Sequence, residues 1–159
     1  MKILFRHLAI LLAAAASLPA FAGDTDITIA DPYVRMVPPG TPTTGAFMVL
    51  KNGSNADRKL VKADSPVARS VELHNHINDN GVMKMRQVAE VDIKAKGETA
   101  LKPGSYHVML IDLRQTLKEG DSVPMTLTFD DGSTRKIDVP VKMPQAMMQM
   151  DGDHGKMKH

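Results

Sequence analysis

Between Asp26 and Val141, apolar and polar residues alternate with period two over one short segment after another. Successive side chains of a strand point to opposite faces, so this period marks half-buried strands. Asp26–Ile29 alternates. Gly45–Leu50 is a short apolar run closed by the turn cluster Lys51-Asn52-Gly53-Ser54. In Val67–Ile77, Val71, Leu73 and Ile77 fall on one side, and Glu72, His74 and His76 on the other. Asn78-Asp79-Asn80-Gly81 predicts a turn, with Val82–Val91 returning from it. Gly104–Leu113 continues with β-branched and apolar residues. Pro124–Phe129 alternates, Asp130-Asp131-Gly132-Ser133 turns, and Thr134–Val141 comes back. No segment keeps a 3.6 period over ten residues; Leu113–Leu117 alone is expected to hold a helical turn. Regular short strands divided by Gly, Pro, Asn and Asp predict an all-β fold, an antiparallel sandwich or barrel.

The two ends follow other patterns. Residues 1–22 carry Lys2 and Arg6, an unbroken apolar run from Leu8 to Ala16, and Ala20-Phe21-Ala22 after a Pro-containing break. These are the three parts of a secretion signal peptide, expected to be cleaved after Ala22. The apolar run is short for a membrane span, and no later segment is apolar enough for one. The expected compartment is a bacterial periplasm or the cell exterior. No twin arginine is present, so export is expected in the unfolded state, with any ligand acquired afterwards. Residues 23–141 then form one compact domain, and residues 142–159 a flexible Met/His-rich tail.

Composition narrows the function. Without Lys2 and Arg6, eighteen cations face eighteen anions, which argues against a nucleic-acid binder working through bulk positive charge. Cysteine is absent, which excludes disulfides, thiolate metal sites, cysteine catalysis and Cys-linked lipid anchors. Aromatic residues make up only 4%, too few for a base-stacking platform. No nucleophile motif, phosphate loop or paired carboxylates suggest an enzyme. Methionine is the outlier, at 12 of 159 residues.

Several of these methionines sit near histidines. With Asp79-Asn80 central in the turn, His74 faces Met85 and His76 faces Met83. With Asn80-Gly81 central, His76 faces Met85 and His74 is diagonal to it. Either register puts His74, His76, Met83 and Met85 on one face, with opposed Cβ atoms about 4.5–5.5 Å apart. His107 and Met109 also share a face, leaving Tyr106, Val108 and Leu110 to point inward. Imidazole with thioether, and no thiolate, suits Cu(I); zinc and the alkaline-earth ions prefer other donors. Met36, Met48 and Met125 read as packing residues. His76 and Met83 are the weaker pair, expected behind the first ring of ligands.

The order His74, ten residues, Met85, twenty-one residues, His107, one residue, Met109 resembles the signature of the periplasmic copper chaperone family called PCu(A)C. Val71-Glu72-Leu73-His74, Leu101-Lys102-Pro103-Gly104 and Tyr106-His107-Val108-Met109-Leu110 are similar to that family as well, over about residues 26–141. Phe47 departs from it, where tyrosine is more frequent. The resemblance implies a cupredoxin-like sandwich with Greek-key connections and Cu(I) bound by His74, Met85, His107 and Met109. It also implies a copper-accepting partner: the Cu(A) domain of cytochrome c oxidase, or a thiol-bearing assembly factor.

From Met143 to His159 the tail holds five Met and two His. His154 and His159, with Asp151 and Asp153 nearby, offer nitrogen and oxygen donors suited to Cu(II). Similar extensions in the family are thought to bind that ion. A copper-tolerance protein that sequesters the metal without delivering it would use the same ligands. A blue-copper electron carrier is excluded by the missing thiolate.

Overall fold

The computed structural model describes residues 26–144. The expected signal peptide, its cleavage point after Ala22, and His154 and His159 lie outside them. The described residues form ten strands and no helix. They are β1 (Ile27–Arg35), β2 (Thr43–Asn52), β3 (Arg58–Asp64), β4 (Ala68–Asp79), β5 (Val82–Gln87), β6 (Val91–Ile93), β7 (Glu98–Leu101), β8 (His107–Leu113), β9 (Ser122–Phe129) and β10 (Thr134–Lys142).

One layer runs β5-β4-β8-β2-β1, with β7 continuing along the same edge of β2 that β8 occupies. The other runs β10-β9-β3-β6. All pairings are antiparallel except β1 with β10, where Val34 meets Val141 and Arg35 meets Lys142 in parallel and joins the layers. The chain crosses between layers at β2–β3, β3–β4, β5–β6, β6–β7, β8–β9 and, through the parallel pair, at the end of β10.

The core is the sum of the inward faces. In β9, Val123, Met125, Leu127 and Phe129 are buried while Ser122 and Pro124 are exposed, the alternation read from the sequence. They join Leu60, Val91, Leu50, Val108, Leu110 and Val139 in one cluster drawn from both layers. Met48 and Met125 are buried there and Met36 packs against it, as gap-filling methionines do. Strand β2 is buried on both faces from Thr44 to Met48. Its inner side meets the core, and on its outer side Phe47 stacks with Tyr33 of β1 at 5.1 Å between ring centroids.

Leu113–Leu117 forms no helical turn. Leu113 is the last residue of β8, paired with Ala68, and the Leu113 and Arg114 N–H groups donate to the carbonyls of Pro42 and Val67, which holds the start of the segment extended on the sheet. Leu117 instead anchors the connection in the core.

The β4–β5 hairpin settles the register. Asn80 and Gly81 are the central turn residues, at φ +53° and +85°, the left-handed pair that a two-residue turn matched to strand twist requires. The Gly81 N–H donates to Asn78 Oδ1 at 2.7 Å. His76 therefore stands opposite Met85, and His74 opposite Gln87.

Candidate metal centre

Three neighbouring strands bring the histidines and methionines together. On the side of β4 away from β5, His74 lies opposite His107 of β8, and Glu72 opposite Met109. Met109 in turn faces Gly45 of β2. Since the side-chain period is two, His74, His76, Met85, His107 and Met109 all project from the outer face of one sheet. The His74 and His107 ring centroids are 5.8 Å apart, and those of His76 and His107 5.2 Å.

Exposure is graded across the cluster. His107 is 3% exposed, Met109 half-buried, Met85 44% exposed and Met83 55% exposed. Met83 faces Asn78, one step nearer the hairpin tip. His76, Met85, His107 and Met109, with Arg35 and Phe47, line a pocket of about 280 Å³; His74 and Met83 do not.

His107 is buried because aromatic side chains close over β2. Phe47 lies 6.2 Å from it between ring centroids, with the Arg35 guanidinium 5.1 Å above the Phe47 ring. Gly45 makes room for this arrangement: a Cβ there would come within 2.9 Å of Phe47 Cζ. The Lys102–Ser105 turn, with Gly104 at φ +80°, brings a carbonyl to the other side of His107. The His107 Nδ1–H donates to Ser105 O at 2.9 Å, leaving Nε2 with its lone pair free to ligate. Burial pushes the His107 pKa below its ordinary value; the Ser105 bond opposes this, and nearby His76, His74 and Arg35 reinforce it. A neutral imidazole is the form a metal needs.

His74 is oriented by a different group. Its Nε2–H donates to Glu72 Oε2 at 2.8 Å, two residues back on the same face. Its Nδ1 is buried with no hydrogen-bond partner, and so is Nδ1 of His76. Two buried, unpartnered imidazole nitrogens in one cluster are unusual, since buried polar atoms ordinarily find partners. Among the described residues no group of three or more His, Cys, Asp or Glu could hold a metal ion. The thioethers of Met85 and Met109 stand on the same face, and imidazole with thioether is a donor set for a soft, low-valent ion.

The histidine–methionine spacing marks this face in the sequence, and the same alternation puts Glu72 on it; what the other supports do there is not marked. Ser105 acts through its backbone, and Gly45, Phe47 and Arg35 act through cross-strand neighbours. None of these four has a signature in a single sequence.

Fold and face together define a small β-sandwich with an imidazole–thioether cluster on its outer surface. The chain belongs to the LpqE-like family, whose model matches residues 27–141. Lxx21020 of Leifsonia xyli subsp. xyli, named as a lipoprotein, is 33% identical over 135 residues, covering 84% of this chain and 80% of that protein. The Cu(I) form of DR1885 from Deinococcus radiodurans is 35% identical with a TM-score of 0.61, covering 82% of this chain and 83% of the other. The copper-bound PCuAC domain from PmoF2 shares the fold at 24% identity and a TM-score of 0.64, over 75% of this chain and 94% of that one. The architecture is thus the cupredoxin-like one of PCuAC domains. The 159 residues include no cysteine to which a lipid could be attached. No helix among the described residues is long and apolar enough to cross a membrane.

Proposed function

We propose that this protein is an exported copper chaperone that holds Cu(I) on the outer face of the β4–β8 sheet and gives it up to a thiol-bearing acceptor. The reading is carried by the donor set: the imidazoles of His74, His76 and His107 and the thioethers of Met85 and Met109 stand on one outer face, with the rings of His74 and His76 5.8 and 5.2 Å from that of His107. His107 through Nε2, His74 through Nδ1, and the sulfurs of Met85 and Met109 are the ligands. The likeness to the Cu(I) form of DR1885 supports the choice of metal. Thioethers are weaker donors than thiolates, so transfer to an acceptor with two thiols runs downhill. The Cu(A) domain of cytochrome c oxidase, or a thiol-bearing assembly factor, has that chemistry. Half-exposed Met85 is where an incoming thiolate displaces the first ligand.

Export through residues 1–22 to the periplasm, and collection of Cu(II) by His154 and His159, belong to the same reading. Reduction of that Cu(II) needs an external electron donor, because the chain has no redox thiol. The Met-rich tail also favours a second reading, sequestration without delivery, which predicts several weak equivalents.

An anaerobic competition titration with a chromophoric Cu(I) chelator tests the proposal. The chain should bind one tight equivalent, weakened about 10–100-fold in Met109→Leu, which keeps side-chain volume and removes the donor sulfur. Equal affinity in the variant would refute the assignment.

A further inference from the structure

His76 is not one of the four ligands named above, yet its placement matches theirs. It stands directly opposite Met85, whereas His74 faces Gln87 on that side. Its ring is nearer to His107 than the His74 ring is, at 5.2 Å against 5.8 Å. Its Nδ1 is buried and unpartnered. The 280 Å³ pocket is lined by His76, Met85, His107 and Met109, which by themselves make a complete pair of imidazoles and pair of thioethers. His74 is absent from that lining and is tied to Glu72 by its Nε2–H.

We infer that the site has two interchangeable imidazole positions: His107, Met85 and Met109 stay bound while His74 and His76 alternate as the fourth donor. This rests on the copper-site reading above and adds a ligand to it. Exchange makes one copper–nitrogen bond as it breaks another. Both imidazoles are neutral donors, so copper stays Cu(I), charge is conserved and no proton need move. The two positions differ in what surrounds them. His74 is braced by a carboxylate and lies next to His107 across the ladder. His76 is two residues nearer the hairpin tip, beside half-exposed Met85 and two residues before Asn78, which faces Met83. The His74 arrangement therefore retains the ion, and the His76 arrangement presents it to an acceptor.

Interchangeable ligands have a thermodynamic signature: each substitutes for the other, so losing both costs more than the two separate losses multiplied together. The test uses the full-length chain, a chromophoric Cu(I) chelator and four variants: His74→Gln, His76→Gln, the double variant and Met109→Leu. Each single histidine variant should lose no more than about tenfold in affinity, and the double variant more than about a hundredfold. Copper extraction by a small dithiol should slow in His76→Gln and not in His74→Gln. Backbone amide spectra of the apo variants check that each remains folded. The proposal is overturned if His76→Gln changes neither affinity nor extraction rate, in the wild-type chain or beside His74→Gln. Met109→Leu then separates the failures. If it still weakens binding, the four-ligand reading stands without His76; if it does not, that reading falls too.

Discussion

The imidazoles of this site are set by what their second nitrogens do. His107 has Nδ1 occupied by the Ser105 carbonyl and offers Nε2; His74 has Nε2 occupied by Glu72 and offers Nδ1. A group that fixes a ligand's tautomer from behind commonly accounts for about 10–100-fold in metal affinity. Because His76 can replace His74, Glu72→Ala is expected to weaken Cu(I) binding by no more than the roughly tenfold lost with His74 itself. In the apo protein it should also let His74 populate both neutral tautomers, read from its ring ¹⁵N shifts. Glu72→Gln keeps a side-chain oxygen that can accept the same bond and should lose less. An unchanged His74 tautomer in Glu72→Ala would show that the carboxylate is a bystander. Legibility at this scale was uneven. The ligand candidates stood out because Met and His are chemically selective and their spacing repeats on strands. Glu72 falls on the ligand face by the same i, i+2 alternation, though its bond to His74 is seen only in the structure. Ser105 could not, since any residue has a carbonyl, and Phe47 showed only as a departure from a pattern.

Among the elements, the β4–β5 hairpin matters most, because it carries Met85. Strand β5 is a sheet edge paired only with β4, and it buries none of its residues. Little besides the ladder and the turn holds it in place. Gly81, at φ +85°, is the residue that the turn cannot easily exchange. Gly81→Ala leaves space around the new Cβ, so its cost is conformational, about 1–2 kcal/mol. That cost should appear as faster amide hydrogen exchange confined to β5 and the end of β4, with a weaker copper site and unaltered protection in β9 and β10. Loss of protection across both layers would mean that the hairpin is part of the cooperative core. The sequence offered two registers for this hairpin, both with the same face, and turn geometry chose between them. Other elements were less visible. Arg58–Asp64 reads as mostly polar because a bulge between Leu60 and Lys62 interrupts the alternation, leaving Leu60 and Ala63 as its buried residues. Val91–Ile93 and Glu98–Leu101 are too short to show a period. The helical turn expected at Leu113–Leu117 gave way to cross-strand hydrogen bonds that only the assembled sheet supplies.

At the scale of the whole molecule, site and core are on opposite faces of the same sheet. Val108 and Leu110 lie in the buried cluster while His107 and Met109, alternating with them, belong to the outer face. Folding stability therefore comes mainly from burial between the layers, and the proposed ligands stand on the sheet's other face. The LpqE-like match spans the same strands, from residue 27 to residue 141. In the function proposed above, this outer face binds Cu(I) through thioether sulfur as well as imidazole nitrogen. X-ray absorption at the copper edge tests it most directly, on full-length chain loaded with a single equivalent of Cu(I). A mixed sulfur and nitrogen shell is predicted, with the sulfur contribution falling in the Met85→Leu, Met109→Leu double variant. A shell of nitrogen and oxygen alone, or a sulfur signal indifferent to those two substitutions, would contradict the claim.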